Sequence, residues 1–273
     1  MPEQQRPWEY SAFRVTVGAV RALTPGFRRI TLTGPDLRHF APWGVDQRIK
    51  LVLPRPDGSI AEFGLLDEPT PHPSHWYTRW RELPDTERNV LRTYTPAGIR
   101  PEQHEIDVDF FIHEPAGPAS AWALAARTGD PLVITGPDVR NGDTGYGIHW
   151  KPGDATRFLL IGDETAYPAI RNIHASLPEG TNVEILVEAT NPLDALVPSA
   201  QVVPAGDVPG ERLEHAVRAW GDARPGHENL YVWIAGESGM VTRTRRYLTA
   251  ELHIPKPQVA FLGYWKLGGP LTA

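Results

Sequence analysis

The feature that most constrains this chain is a change of rhythm near residue 151. Before it, apolar residues fall in short β-branched or aromatic runs separated by Gly, Pro and Asp. These runs are 13–20 (FRVTVGAV), 27–33 (FRRITLT), 47–54 (QRIKLVLP), 90–95 (VLRTYT), 104–113 (HEIDVDFFIH) and 131–136 (PLVITG). Six such runs predict a small antiparallel barrel. A stretch opening with Pro at 118–127 (PASAWALAAR) predicts a helix that caps it. Residues 64–89, rich in Pro, His and Trp, read as an irregular insertion.

From 157 onward, strand-like RFLLIG, NVEILVEA, NLYVWIAG and PQVAFLGYW alternate with helical patterns at 165–177, 211–220 and 238–253. Such alternation implies a parallel sheet. The expected architecture is therefore a two-domain β + α/β chain. A six-stranded antiparallel barrel occupies 1–152 and a parallel-sheet α/β domain 153–273, with KPGDAT at 151–156 marking the change. At 273 residues, each half is long enough to bury its own core.

Composition excludes several kinds of chemistry. The chain has no Cys, so disulfides, thiolate nucleophiles and cysteine-ligated metal clusters are ruled out, and redox chemistry would need an organic cofactor. A net charge of −6 gives no general attraction to nucleic acid or anionic lipid. No apolar run is long enough for a membrane span. The opening MPEQQRPWEY lacks the basic and apolar regions of a secretory signal, so a cytoplasmic location is expected.

Five segments carry residues suited to a ligand. In RTYTPAG, Arg92 and Tyr94 alternate to one side of a strand end and Thr95 to the other, before Pro96 and Gly98 are expected to turn the chain. A cation, an aromatic face and a hydroxyl suit the pyrophosphate, ring and reactive nitrogen of a flavin dinucleotide. An ordinary strand with an exposed Arg accounts for them equally. In GPASAW, the amides of Ala119 and Ser120 and the Ser120 hydroxyl begin a helix, a place that favours phosphate. Helix initiation by Ser120 and packing by Trp122 is the plainer alternative, and His113 just upstream is a further candidate. GDETAYPAI (162–170) follows an apolar strand at the crevice of an α/β sheet, but Asp163 and Glu164 would repel a phosphate, and N-capping explains them as well. AGESGM (235–240) leads to Arg243, Arg245 and Arg246, of which the first and last share a helix face. GYWKLGG (263–269) places Tyr264, Trp265 and Lys266 after the last strand.

Taken in order, RTYT, DFFIHEPAGPASAW, GDETAYPAI, VWIAGESGMVTRTRRYL and LGYWKLGG resemble the siderophore-interacting protein family, FAD-dependent ferric-siderophore reductases of ferredoxin-reductase-like fold. The resemblance covers nearly the whole chain. It implies that Arg92, Tyr94 and Thr95 hold the flavin, with Tyr94 and Thr95 as the catalytic pair at its reacting ring. His113, Ala119, Ser120 and Trp122 would lie toward the pyrophosphate and adenosine, with Asp163, Glu164 and Thr165 beside the crevice. It also implies that Lys50, Arg246 and Lys266 form a basic opening that attracts an anionic ferric siderophore. Electrons would come from NADH or NADPH, or from reduced ferredoxin, with no protein metal site. The carboxylates of Glu188 and Asp194, which fall where a dinucleotide ribose would be read, mildly favour NADH over NADPH. The resemblance leaves two alternatives, a flavin reductase for another acceptor and a siderophore-binding flavoprotein without turnover.

Overall fold

Period-two burial builds the first sheet. Along β1 (Tyr10–Thr24), Phe13, Val15 and Val17 are buried while Arg14, Thr16 and Gly18 face solvent. The same alternation places Ile30 and Leu32 of β2 (Phe27–Thr33) and Ile49 and Leu51 of β3 (Ile49–Leu53) in one core with Ile106, Val108 and Phe110. This computed structural model describes residues 6–268 apart from 195, 198 and 225. Gly269, the end of the GYWKLGG segment, lies outside the described residues.

The remaining strands are β4 (Val90–Tyr94), β5 (Pro96–Arg100), β6 (Glu105–Phe111) and β7 (Pro131–Pro137). The order across the sheet is β4-β3-β7-β1-β2-β6-β5. Its two edge strands are consecutive in the chain and joined by Thr95 alone, so the sheet must curl until its edges meet. Tyr94 pairs with Ile49 on one side of that seam and Pro96 with Val108 on the other. The sheet thus has seven strands rather than six. The expected turn after Thr95 is instead an edge strand, which tolerates Pro at its first position and absorbs Ala97 through a register shift between Pro96 and Gly98.

The 64–89 insertion is not wholly irregular, since it contains helix α1 (Pro73–Glu82), whose N-cap His72 accepts a hydrogen bond from the Ser74 amide. Its aromatic residues pack on the barrel. Trp76 is buried against Trp8 and Phe63, in a cluster that includes Val52 and Val133 on the outer face of the sheet, with Tyr77 and Trp80 at its margin. Helix α2 (Pro118–Ala125) sends Ala119 and Ala123 into the barrel core.

The chain divides into two compact units, one comprising residues up to 147 except 24–26, the other 24–26 and 148 onward. The second unit has the parallel strands β8 (Arg157–Gly162), β9 (Asn182–Ala189), β10 (Gln201–Pro204), β11 (Leu230–Glu237) and β12 (Val259–Trp265), in the order β10-β9-β8-β11-β12. The short strand β10, only half-buried at best, adds one to the four expected. Helices α3 (Tyr167–Ser176), α4 (Glu211–Ala223) and α5 (Ser238–Arg246) connect them. The strand order reverses between β8 and β11, and the crevice outside the carboxyl ends of these strands is where such sheets receive ligands. No helix among the described residues is long and apolar enough to cross a membrane.

Candidate functional site

At the seam of the barrel, the Tyr94 ring lies 4.7 Å from Phe110, and Phe110 lies 5.6 Å from Trp122 on α2. One buried phenylalanine therefore brings the end of β4 and the start of α2 to the same end of the barrel. Thr95 is buried between the two edge strands. Burial pushes the Tyr94 hydroxyl well above its usual range, an effect that the nearby Arg92 opposes. Arg92 is a half-buried cation whose guanidinium donates to the Leu91 carbonyl at 2.8 Å and has no carboxylate partner among the described residues. Desolvation lowers its pKa. A cation taken partly out of water without a counter-charge is well disposed to receive an anion.

The start of α2 is likewise open. Its N-cap is Gly117, with no side chain capping the first turn, so the amides of Ala119 and Ser120 lack a side-chain acceptor there. A Cβ on Gly117 would stand 3.2 Å from the His113 ring, a tight contact that the ring would have to yield to by a few tenths of an ångström. The Ser120 hydroxyl donates to the Phe111 carbonyl at 3.2 Å, which commits its proton and leaves the amide, rather than the hydroxyl, available to an anion. An unpaired Arg92, an uncapped helix start and an aromatic face at one end of the barrel fit the pyrophosphate and ring of FAD.

Lys50 pairs with Thr93, its Nζ 3.4 Å from the Thr93 Oγ1. Leu51 and Ile49, which oppose Arg92 and Tyr94, face the core, so strand alternation turns Lys50 to the other face. Burial, with Arg48 adding to it, lowers the Lys50 pKa to about 8.

In the second unit, Asp163 follows β8 at the switch point and is buried. Its Oδ1 accepts from the Thr165 amide at 2.9 Å and the Thr165 hydroxyl at 2.5 Å. Its Oδ2 accepts from the Glu237 amide at 2.9 Å and the Trp265 indole at 2.8 Å. Burial nevertheless raises its pKa to about 6. The turn that was a candidate ligand site therefore binds its own acidic side chain, with both Thr165 donors directed to Asp163. Glu164 accepts from the Thr190 amide.

The three arginines after AGESGM separate. Arg243 bonds Glu214 at 2.7 Å and reaches back to the first turn of α5 beside Gly239, while Arg245 lies 4.0 Å over the Phe261 ring. Arg246 is exposed at the far end of α5, about 12 Å along the helix axis from Ser238. Ser238 bonds the Trp265 carbonyl, so the structure does not bring Arg246 together with Lys266. The shared helix face was legible, but the direction in which α5 leaves the crevice was not. Glu237 and Ser238, which belong to the AGESGM segment but not to its arginines, stand at the crevice instead. Their signal was their place immediately after an apolar strand.

The inference toward NADH is corrected. Glu188 is buried and accepts from the Gly210 and Leu213 amides at 2.7 and 3.3 Å, capping α4. Asp194 is buried and accepts from the Gly26 amide at 2.9 Å. Both carboxylates are engaged by backbone, and neither is left exposed to read a ribose.

A curled antiparallel sheet and this parallel α/β sheet give the chain a ferredoxin-reductase-like fold. Residues 16–141 match the siderophore-interacting FAD-binding domain and residues 155–268 the siderophore-interacting protein domain, and the chain belongs to the siderophore-interacting protein family. It is 28% identical over 261 residues to the mycobactin import ATP-binding/permease protein IrtA of Mycolicibacterium smegmatis, covering 93% of this chain but 26% of that protein. The chain thus spans about a quarter of that relative. It is also 28% identical to the NADPH-dependent ferric-chelate reductase of Escherichia coli, covering 92% of this chain and 91% of that one. The crystal structure of the siderophore-interacting protein SipS from Aeromonas hydrophila superposes with a TM-score of 0.71 at 25% identity, covering 96% and 94% of the two chains.

Proposed function

We propose that this chain is an FAD-dependent ferric-siderophore reductase that takes electrons from NADPH or NADH. The observation that carries the reading is Arg92, a half-buried cation without a counter-charge among the described residues, set beside Tyr94 at the end of the barrel where α2 begins uncapped. Bound FAD supplies the ability to accept two electrons together and release them singly, as a hydride donor and a ferric acceptor require.

In this reading Arg92 and the amides of Ala119 and Ser120 bind the pyrophosphate, Tyr94 offers its face to the ring, and Thr95 hydrogen-bonds the reactive ring nitrogen. Tyr94 and Thr95 are the residues at the reacting ring, and His113 and Trp122 border the nucleotide. Lys266, with Lys50 as a second cation, attracts the anionic chelate. Arg246 has less support because of its distance from the crevice. Asp163 and Thr165, which bond each other, are assigned to the architecture of the crevice rather than to direct cofactor contact. Iron is the substrate. Its hard oxygen ligands hold the ferric ion more tightly than the ferrous ion, so accepting one electron loosens the chelate.

Reduced ferredoxin is the second candidate donor, favoured because the acidic switch-point turn repels a nucleotide phosphate and its Thr165 donors are already taken by Asp163. The test is anaerobic reduction of the holoprotein by NADPH, NADH or reduced ferredoxin, followed by mixing with ferric hydroxamate, catecholate and citrate complexes and a ferrous trap. Flavin reoxidation coupled to trapped ferrous iron is expected. Reduced flavin that persists in the presence of every chelate would refute the assignment.

A further inference from the structure

We propose that Asp163 is a positioning residue for the substrate side of the site, holding Lys266 in place through the indole of Trp265. This deepens the proposed function and rests on its reading of Lys266 as a contact to the anionic chelate.

A lysine just beyond the last strand of a sheet would ordinarily belong to a loose end, because few backbone bonds restrain it. Lys266 is exposed, yet the residues on both sides of it are anchored. Trp265 donates its indole N–H to the Asp163 Oδ2 and accepts at its carbonyl from the Ser238 hydroxyl, both at 2.8 Å. Leu267 donates its amide to the Glu237 Oε1 at 3.4 Å. Three residues of the switch point thus restrain the backbone that carries one cation.

The strand register shows how the indole gets there. Pairing of β11 with β12 runs from Gly236↔Gly263 directly to Glu237↔Trp265, passing over Tyr264. Such a bulge reverses the alternation and re-aims the side chains that follow it. Gly236 has φ +143°, and a Cβ there would lie 2.5 Å from the Asp163 Oδ2. Glycine is therefore what allows the carboxylate to reach the indole and the Glu237 amide together. An ionised carboxylate accepts at both oxygens, whereas an asparagine would present donor hydrogens to donors on one side. Restraining the backbone at Lys266 narrows the volume its ammonium searches while leaving its head in solvent, where an anion can meet it.

The test uses oxidised holoprotein with no electron donor, titrated calorimetrically with ferric citrate as the anionic chelate and with a neutral ferric hydroxamate. Lys266→Ala is expected to weaken ferric citrate about three- to tenfold more than the neutral chelate, as for one partly exposed charge contact. Trp265→Phe should show the same charge-selective loss with the flavin spectrum intact. The double variant should be no weaker than Lys266→Ala alone, because the two residues act as one device. Under turnover the loss should fall on KM rather than kcat. Trp265→Phe behaving as wild type while Lys266→Ala loses affinity would overturn the positioning role and leave the Lys266 contact intact. So would equal loss for both chelates, or additive effects in the double variant. Wild-type binding by Lys266→Ala would overturn the contact itself and the positioning role with it.

Discussion

Trp265 and Asp163 lie about a hundred residues apart in sequence and meet at the switch point, the indole N–H donating to the carboxylate at 2.8 Å. With the Glu237 amide and both Thr165 donors, Asp163 closes the carboxyl ends of β8, β11 and β12 around one acceptor group. Asp163→Asn keeps the volume but turns an amide N–H₂ toward donors in either orientation. It is expected to cost about 1–3 kcal/mol of stability, measured by urea unfolding. Thr165→Val, which removes one donor and leaves the others, should cost less.

The same carboxyl gives a pH signature. Its folded pKa, about 6, lies above the ordinary aspartate value of 3.8, so the ionised form is disfavoured by folding. The folded state then binds more protons than the unfolded state, and this group's contribution to stability falls as pH rises from about 4 to 6. In Asp163→Asn that dependence should vanish. Unfolding free energies of the two proteins compared across this window provide the check, and parallel curves would contradict the shift.

Arg92 should separate cofactor binding from folding. Because no carboxylate among the described residues partners it, Arg92→Met removes a desolvated cation without stranding a counter-charge there. The apoprotein should unfold within about 0.5 kcal/mol of wild type. FAD affinity should fall at least about tenfold, the scale of one charge-assisted phosphate contact. Flavin fluorescence titration reads the second effect and urea unfolding the first.

Lys50 should confer a pH dependence on chelate binding. Burial lowers its pKa from 10.5 to about 8, so its charge is present at neutral pH and lost through about pH 8 rather than above pH 10. An anion favours the charged form, so affinity for ferric citrate should decline across that window. Lys50→Arg, charged throughout, should flatten the decline. For stability the sign is opposite to that of a paired lysine. The lowered folded pKa penalises the charged form at low pH, and the penalty is relieved as pH rises from about 8 to 10.5.

The pairing of an antiparallel β unit with an α/β unit was legible in the sequence because alternation and helical periodicity are local. The buried face of β1 and the βα rhythm after residue 157 both follow from side-chain pattern. What escaped depended on pairing or direction. PAGIR looks like a turn, yet it forms an edge strand because β6 supplies its partner. Helix α1 was hidden because its one buried side chain, Trp76, finds its ring partners in the sequence-distant Trp8 and Phe63, while Pro, His and Arg dominate the surrounding residues. Arg246 shared a face with Arg243, but only the course of α5 shows that they stand at different distances from the crevice. Acidic residues that suggested ligand reading, Glu188 and Asp194, serve backbone amides whose positions no local pattern reveals.

Ser120 offers a converse to Arg92. Its hydroxyl donates to the Phe111 carbonyl at 3.2 Å and ties α2 to the strand that carries Phe110. Removing it therefore weakens the fold more than the phosphate site, since the amide of residue 120 survives any substitution except proline. Ser120→Ala is expected to cost about 1 kcal/mol in urea unfolding and to leave the FAD dissociation constant within about twofold. Gly117→Ala should behave oppositely. Its new methyl group would stand 3.2 Å from the His113 ring, at the same helix start where the open amides lie. Displacing His113 there should weaken FAD binding more than it lowers the unfolding free energy. A loss of flavin affinity in Ser120→Ala as large as that in Gly117→Ala would show that the hydroxyl takes part in the phosphate contact.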